Sequence, residues 1–126
     1  MSKLAYVVED DPDLAKIYSE ALKIAGFKVE TLLDGQAAYD RIKEHRPDFV
    51  LLDMHLPNVS GNEILWLTWF DDLLETLRFT IITADIDMGK IYEPKGYRVL
   101  IKPVPFEALV EMAKEVFAET ERENQA

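Results

Sequence analysis

The 126-residue chain has no cysteine, which excludes disulfide scaffolds, thiolate metal centres and cysteine nucleophiles. Histidine is almost as scarce. His45 and His55 are the only two, a poor basis for a structural zinc site or a histidine-based catalytic dyad. Positive charge is in short supply: 14 Lys and Arg stand against 24 Asp and Glu, a net charge of -10. Such a chain is by itself repelled by nucleic acid and by anionic membrane surfaces. No apolar run approaches bilayer-spanning length. The opening Met1-Ser2-Lys3-Leu4 runs into a strand-like segment without a signal-peptide pattern, so the expectation is a cytoplasmic domain outside the membrane. Apolar residues, in contrast, are plentiful at 48%. A chain of this size buries roughly two-thirds of its unfolded surface, enough for one cooperative core.

Short apolar runs alternate with helix-length segments. Leu4 to Val8 predicts a first strand, and Leu14, Ile17, Tyr18, Ala21, Leu22 and Ala25 recur at helical spacing up to a stop at Gly26. Asp11 or Asp13, with Pro12, suits that helix start. Phe27 to Leu32 predicts a second strand, Asp34-Gly35 a turn, and Gln36 to His45 a short helix. The continuous run Phe49 to Leu52, closed by Asp53, fits a strand covered on both faces. After a loop over Met54 to Ser60, the pattern is helical from about Gly61 to Leu77. Phe79 to Ile82 and Val99 to Ile101 predict two more strands, with an irregular stretch between them. A last helix from about Pro105 to Glu119 carries Phe106, Leu109, Val110, Ala113, Val116 and Phe117 on one face. The tail from Glu121 to Ala126 is polar, either frayed or the start of a linker, which leaves one domain over residues 1–120. Five β-α repeats predict an α/β fold: a five-stranded parallel sheet with helices on both faces.

In such sheets ligands bind beyond the carboxyl ends of the strands. Four strands finish there on groups suited to one reaction: Glu9 and Asp10, then Asp53, then Thr83, then Lys102. Carboxylates gathered in one crevice repel. A pair about 4 Å apart costs roughly 4 kcal/mol at an effective dielectric of 20. A hard divalent cation with oxygen ligands, Mg²⁺ above all, relieves that repulsion. Taken singly, Glu9 and Asp10 could equally serve the following helix start, and Lys102 could equally be a solvated strand-end lysine. Asp53 follows an apolar run away from any helix start and has no such duty. Their joint placement carries the inference.

These segments resemble the response-regulator receiver domain of two-component signalling, with its flavodoxin-like strand order 2-1-3-4-5. The matching pieces are Val7-Val8-Glu9-Asp10-Asp11-Pro12, Leu51-Leu52-Asp53-Met54-His55-Leu56-Pro57, Ser60-Gly61, Ile81-Ile82-Thr83-Ala84 and Lys102-Pro103, in order along almost the whole chain. The resemblance implies Asp53 as phosphoacceptor. It implies Mg²⁺ held by Glu9, Asp10, Asp53 and the His55 backbone carbonyl. Thr83 is implied to hydrogen-bond the phosphoryl group and Lys102 to pair with it. The expected donor is a histidine kinase or histidine phosphotransfer protein. The expected output is a downstream protein partner or a further domain, with a homodimer left open. On this reading the chain is a phosphoprotein that catalyses only its own phosphorylation and dephosphorylation.

Some features depart from that pattern. The aromatic switch residue usual three positions before the lysine is here Val99, and Tyr97 has the same side-chain parity and is a candidate substitute. Between Thr83 and Lys102, Gly89, Pro94 and Gly96 predict a short or irregular fourth helix. The third helix is apolar over more than one stripe, so Trp66 or Trp69 either fills a gap beside the fourth segment or forms an exposed patch for a partner or a second copy. His55 is expected to border the site and Asp85 to orient attacking water. A receiver-fold interaction module with altered phosphate-dependent output is the alternative function. An aspartyl phosphatase would want a general acid that Met54-His55 does not supply, and no phosphate-cradling run of Gly, Ser and Thr follows the first strand to support flavin binding. No DNA-binding segment follows the last helix, so direct nucleic-acid binding is not expected.

Overall fold

The computed structural model describes residues 2–71 and 76–125. Its strands are β1 (Leu4–Val8), β2 (Lys28–Leu32), β3 (Phe49–Asp53), β4 (Phe79–Thr83) and β5 (Arg98–Ile101). They form one parallel sheet in the order β2-β1-β3-β4-β5. The helices are α1 (Pro12–Ala25), α2 (Gly35–Glu44), α3 (Gly61–Trp69), α4 (Ile86–Tyr92) and α5 (Phe106–Gln125), with a 3-10 turn over Glu93–Lys95. Among the described residues no helix is long and apolar enough to cross a membrane.

Strand residues alternate between two cores. Ala5 and Val7, Phe49 and Leu51, and Ile82 face α1 and α5, where Phe27 meets Phe117 edge-on at 5.2 Å. Tyr6 and Val8, Val50 and Leu52, and Phe79 and Ile81 face α2, α3 and α4. The central strands are apolar on both faces because helices cover both. Local chemistry fixes where the helices begin. The Asp11 carboxylate accepts from Asp13 and Leu14, that of Asp34 from Ala37, and that of Asp85 from Met88, each satisfying a first-turn amide. The short, irregular fourth helix expected from Gly89 and Pro94 is seven residues of α4 followed by the 3-10 turn.

Two expectations are corrected and one alternative is decided. Helix α3 ends at Trp69 rather than near Leu77, with Phe70 as its C-cap; Leu73 and Leu74 lie outside the described residues. Helix α5 continues past Glu119 to Gln125 instead of fraying at residue 121. Arg78 holds it there, its Nη1 3.4 Å from Glu119 and its Nη2 2.7 Å from Glu123, one helical turn further on. Finally, Trp66 and Trp69 do not fill the space beside α4: they are 59% and 71% exposed.

Candidate functional site

Strand register assembles the site. Val8 pairs with Leu52, Asp53 with Ile82, and Thr83 with Ile101. Glu9 and Asp53 therefore stand level at the carboxyl edge of the sheet, with Thr83 one residue step further on and Lys102 two. Glu9 continues the parity of Ala5 and Val7, Asp53 that of Phe49 and Leu51, and Lys102 that of Leu100, all residues of the α1–α5 core. Their side chains meet. Lys102 Nζ donates to Glu9 Oε1 at 2.6 Å and to Asp53 Oδ2 at 3.0 Å. The Lys102 amide donates to the Thr83 carbonyl at 2.8 Å, which ties the ends of β4 and β5 together.

Glu9 is 1% exposed and Asp53 4%, whereas Asp10 is exposed. All three present oxygens within 4.8 Å of one another. Burial pushes the Glu9 carboxyl up to about 7, against the pull of hydrogen bonds from Lys102 and the Asp11 amide. Burial also disfavours the charge on Lys102, but its hydrogen bonds to Glu9 and Asp53 outweigh that and hold its pKa above the ordinary value. One ammonium thus faces two buried carboxylates, with a third at the rim. The donor set is oxygen only, partly solvated and over-supplied with negative charge, which is the chemistry a hard divalent cation requires.

The loop after β3 is held by close approach. The His55 amide donates to Asp53 Oδ1 at 3.0 Å, and the Gly61 amide to the Met54 carbonyl at 3.2 Å. A Cβ on Gly61 would lie 2.4 Å from the Asp53 carbonyl oxygen, and one on Gly35 only 1.5 Å from that of Val59. Glycine alone lets α2 and α3 start this near the acidic edge. Across the mouth, Thr83 is fully buried and its Oγ1 accepts from the Asp85 amide at 3.0 Å. His55 Nε2 lies 3.5 Å from Asp85 Oδ2. His55 and Asp85 were each expected beside the site; that they face each other had no signal in the sequence. Tyr18 was also missed, read only as part of the α1 apolar stripe. It is 3% exposed, burial raises its pKa, and the charges of Lys102, Glu9 and Asp53 act on it.

The switch candidates separate. Val99 lies two residues short of Ile101, the partner of Thr83, and packs against the α2–α4 core. Tyr97 has the same parity and packs on that core as well. It stands four residues from Ile101, however, about 13 Å along a strand. Its ring lies edge-on to Tyr92, 5.7 Å between centroids, at the opposite end of β5. Tyr97 is therefore not brought to Thr83, because correct parity does not shorten the distance along a strand.

Over residues 5–114 the chain matches the response regulator receiver domain family. It is 29% identical over 117 residues to the polar-differentiation response regulator DivK of Brucella anthropi, covering 90% of this chain and 95% of that protein. It is 31% identical over 110 residues to the DNA-binding response regulator MtrA of Mycolicibacterium smegmatis, covering 87% of this chain but 48% of that longer protein. The chemotaxis response regulator CheY4 of Vibrio cholerae has the same fold, with a TM-score of 0.81 at 22% identity over 92% of this chain and 99% of that one. The acidic strand-end cluster, the 2-1-3-4-5 sheet and these likenesses agree, and the chain belongs to the response-regulator receiver domains of two-component systems.

Proposed function

We propose that this receiver domain is a phosphoacceptor, a cytoplasmic signalling switch that takes a phosphoryl group onto Asp53 from a histidine kinase or histidine phosphotransfer protein. The observation that carries the reading is the convergence of Glu9, Asp53 and Lys102 at 2.6 and 3.0 Å from three distant strand ends. An Asp53 carboxylate oxygen attacks the donor phosphorus in line. The new O–P bond forms as the P–N bond to the donor imidazole breaks, and the imidazole leaves with the electron pair. Lys102 neutralises charge on the transferring group, and Thr83 Oγ1 turns from the Asp85 amide to bond it. Glu9, Asp10, Asp53 and the His55 backbone carbonyl would hold Mg²⁺, which supplies positive charge against the phosphoryl oxygens.

The resulting acyl phosphate adds charge and acceptor oxygens to a crowded edge, and movement of Thr83 with the start of α4 transmits the change to a protein partner or output domain. The domain acts on no separate substrate; its chemistry is its own phosphorylation and dephosphorylation. Incubation with Mg²⁺ and acetyl phosphate should add one phosphoryl mass, and Asp53→Asn should abolish the addition. No added mass with any donor would refute the reading.

A second reading is favoured by Val99 in the switch position and by the brevity of α4: an interaction module of receiver fold whose output no longer follows phosphate. Partner binding unchanged between phosphorylated and unphosphorylated protein would select it.

A further inference from the structure

The helix layer over β4 and β5 is incomplete. Because α4 is seven residues long and passes into a single 3-10 turn, a groove of about 620 Å³ is left between it and α3. Leu65, Leu77, Phe79 and Tyr92, each at least nine-tenths buried, line its floor and inner wall. Trp66 and Trp69 form the outer wall, and Tyr97 lies against Tyr92. Two tryptophans thus border an apolar space in their own domain without entering it.

The lining says what would enter. Its volume falls within the roughly 300–1,000 Å³ typical of small-ligand sites. Its walls are flat rings, which suit a planar ring stacked or edge-on between them. Its polar groups are complementary to an acceptor. The hydroxyls of Tyr92 and Tyr97 hydrogen-bond to none of the described residues. Burial raises the pKa of both phenols, so both keep their protons at neutral pH. Lys95, its Nζ 5.4 Å from the Tyr92 ring, is the one charged residue among the described residues of the lining, in a chain of net charge -10. Lys95 is thus a local positive charge at the groove, and with the two phenol hydroxyls it offers donors to an anionic group despite the chain's overall charge.

We propose that this groove is a binding site for a small aromatic carboxylate, its ring among Trp66, Trp69 and Tyr92 and its carboxylate at Lys95. The site is separate from the acidic strand edge and does not depend on Asp53 accepting a phosphoryl group. A second copy of the chain is disfavoured as the occupant, since it would bring its own net charge of -10 against the same charge, where a small carboxylate brings a single one.

The chain's two tryptophans both line the groove, so both indole N–H signals in a ¹H–¹⁵N spectrum report on it. Titration of the full chain with naphthylacetate should shift both signals saturably. Naphthylacetamide, the uncharged analogue, should bind roughly threefold to fivefold more weakly, the scale of an exposed ion pair. Lys95→Met, a surface change, should remove that preference while leaving amide binding intact, and Asp53→Asn should alter neither. Shifts that never saturate, equal affinity for acid and amide, or an unchanged preference in Lys95→Met would overturn the proposal. So would a dimer in sedimentation that buries Trp66, which would assign the groove to a second copy.

Discussion

Replacing Lys102 by methionine keeps most of the side chain's length and removes its charge. Lys102 Nζ sits 2.6 Å from Glu9 Oε1 and 3.0 Å from Asp53 Oδ2, and those two side chains are 1% and 5% exposed. Their oxygens lie within 4.8 Å of each other, where two unit charges repel by roughly 3 kcal/mol at an effective dielectric of 20. Breaking a buried ion pair by deleting one partner costs roughly 3–5 kcal/mol, because a charge is left buried and uncompensated. Lys102→Met should therefore lose about 3–5 kcal/mol in urea unfolding at pH 8 with metal chelated. The loss must depend on pH. Glu9 has its pKa raised to about 7, so near pH 5.5 it carries a proton and needs no cation. There the gap between wild type and variant should fall to about half or less, the remainder coming from the Asp53 contact. A gap below about 1 kcal/mol at pH 8, within the range of an exposed pair, or one equal at both pH values, would refute the claim that Lys102 balances two buried carboxylates.

Glu9 alone gives a second pH signature. Its folded pKa is raised from 4.5 to about 7, so the stability it contributes is complete below 4.5 and lost as pH rises through 7. Metal-free protein should lose up to about 3 kcal/mol between pH 5 and 8 in urea melts, and Glu9→Gln should flatten that interval. Magnesium at a hundred times its dissociation constant should restore about 2.7 kcal/mol at pH 8. Gly61→Ala would push a methyl to 2.4 Å from the Asp53 carbonyl oxygen, backbone that cannot yield cheaply. A loss of at least 1–3 kcal/mol in unfolding, with slower phosphorylation, is expected, and a neutral result would contradict the packing at the start of α3. Asp85→Asn keeps an oxygen to cap α4 at the Met88 amide but loses the charge facing His55. If Asp85 orients attacking water, the phosphoryl group should persist longer in this variant, read as the decay of the added mass; an unchanged lifetime removes that role.

The legible part of this molecule was the part written in short-range pattern. Val50, Leu51 and Leu52 are apolar in succession because β3 is covered on both faces, and Asp53 was conspicuous as the carboxylate that ended the run. Parallel strands of nearly equal length put their carboxyl ends level, so four sets of strand-end residues implied one site before any pairing was known. Asp11, one of the two candidates for the first helix start, does cap α1, whereas Asp34, expected in a turn, Ser60, expected in a loop, and Asp85, in the irregular stretch, cap α2, α3 and α4 without having been expected to. What could not be read depends on residues far apart in sequence. Arg78 reaches Glu119 and Glu123 across more than forty residues, and that contact decides where α5 ends. Nothing local distinguishes Glu121 to Gln125 from a frayed tail. Tyr97 shows the same limit in miniature, since period two reports a face and not a position along the strand.

The acidic edge and the layer over β4 and β5 are held by different things. The acidic edge depends on strand ends whose register is fixed by the whole sheet: a slip of one residue in β1, β3 or β5 would turn Glu9, Asp53 or Lys102 to the wrong face. A change there is costly at every position. The layer over β4 and β5 depends instead on α4, a surface helix of seven residues that packs on Val99 and Ile101 through Gly89. Shortening that helix leaves the sheet intact and opens a groove beside it. An aromatic residue at the Val99 position would have to pack beneath α4, where a methyl on Gly89 would already meet Val99 Cγ1 at 3.2 Å. A close α4 and a large swinging ring at position 99 exclude each other. If Asp53 accepts a phosphoryl group as proposed, movement at Thr83 has the backbone of Asp85 and the start of α4 as its route to the surface, because the Asp85 amide bonds Thr83 Oγ1 and no ring stands at position 99.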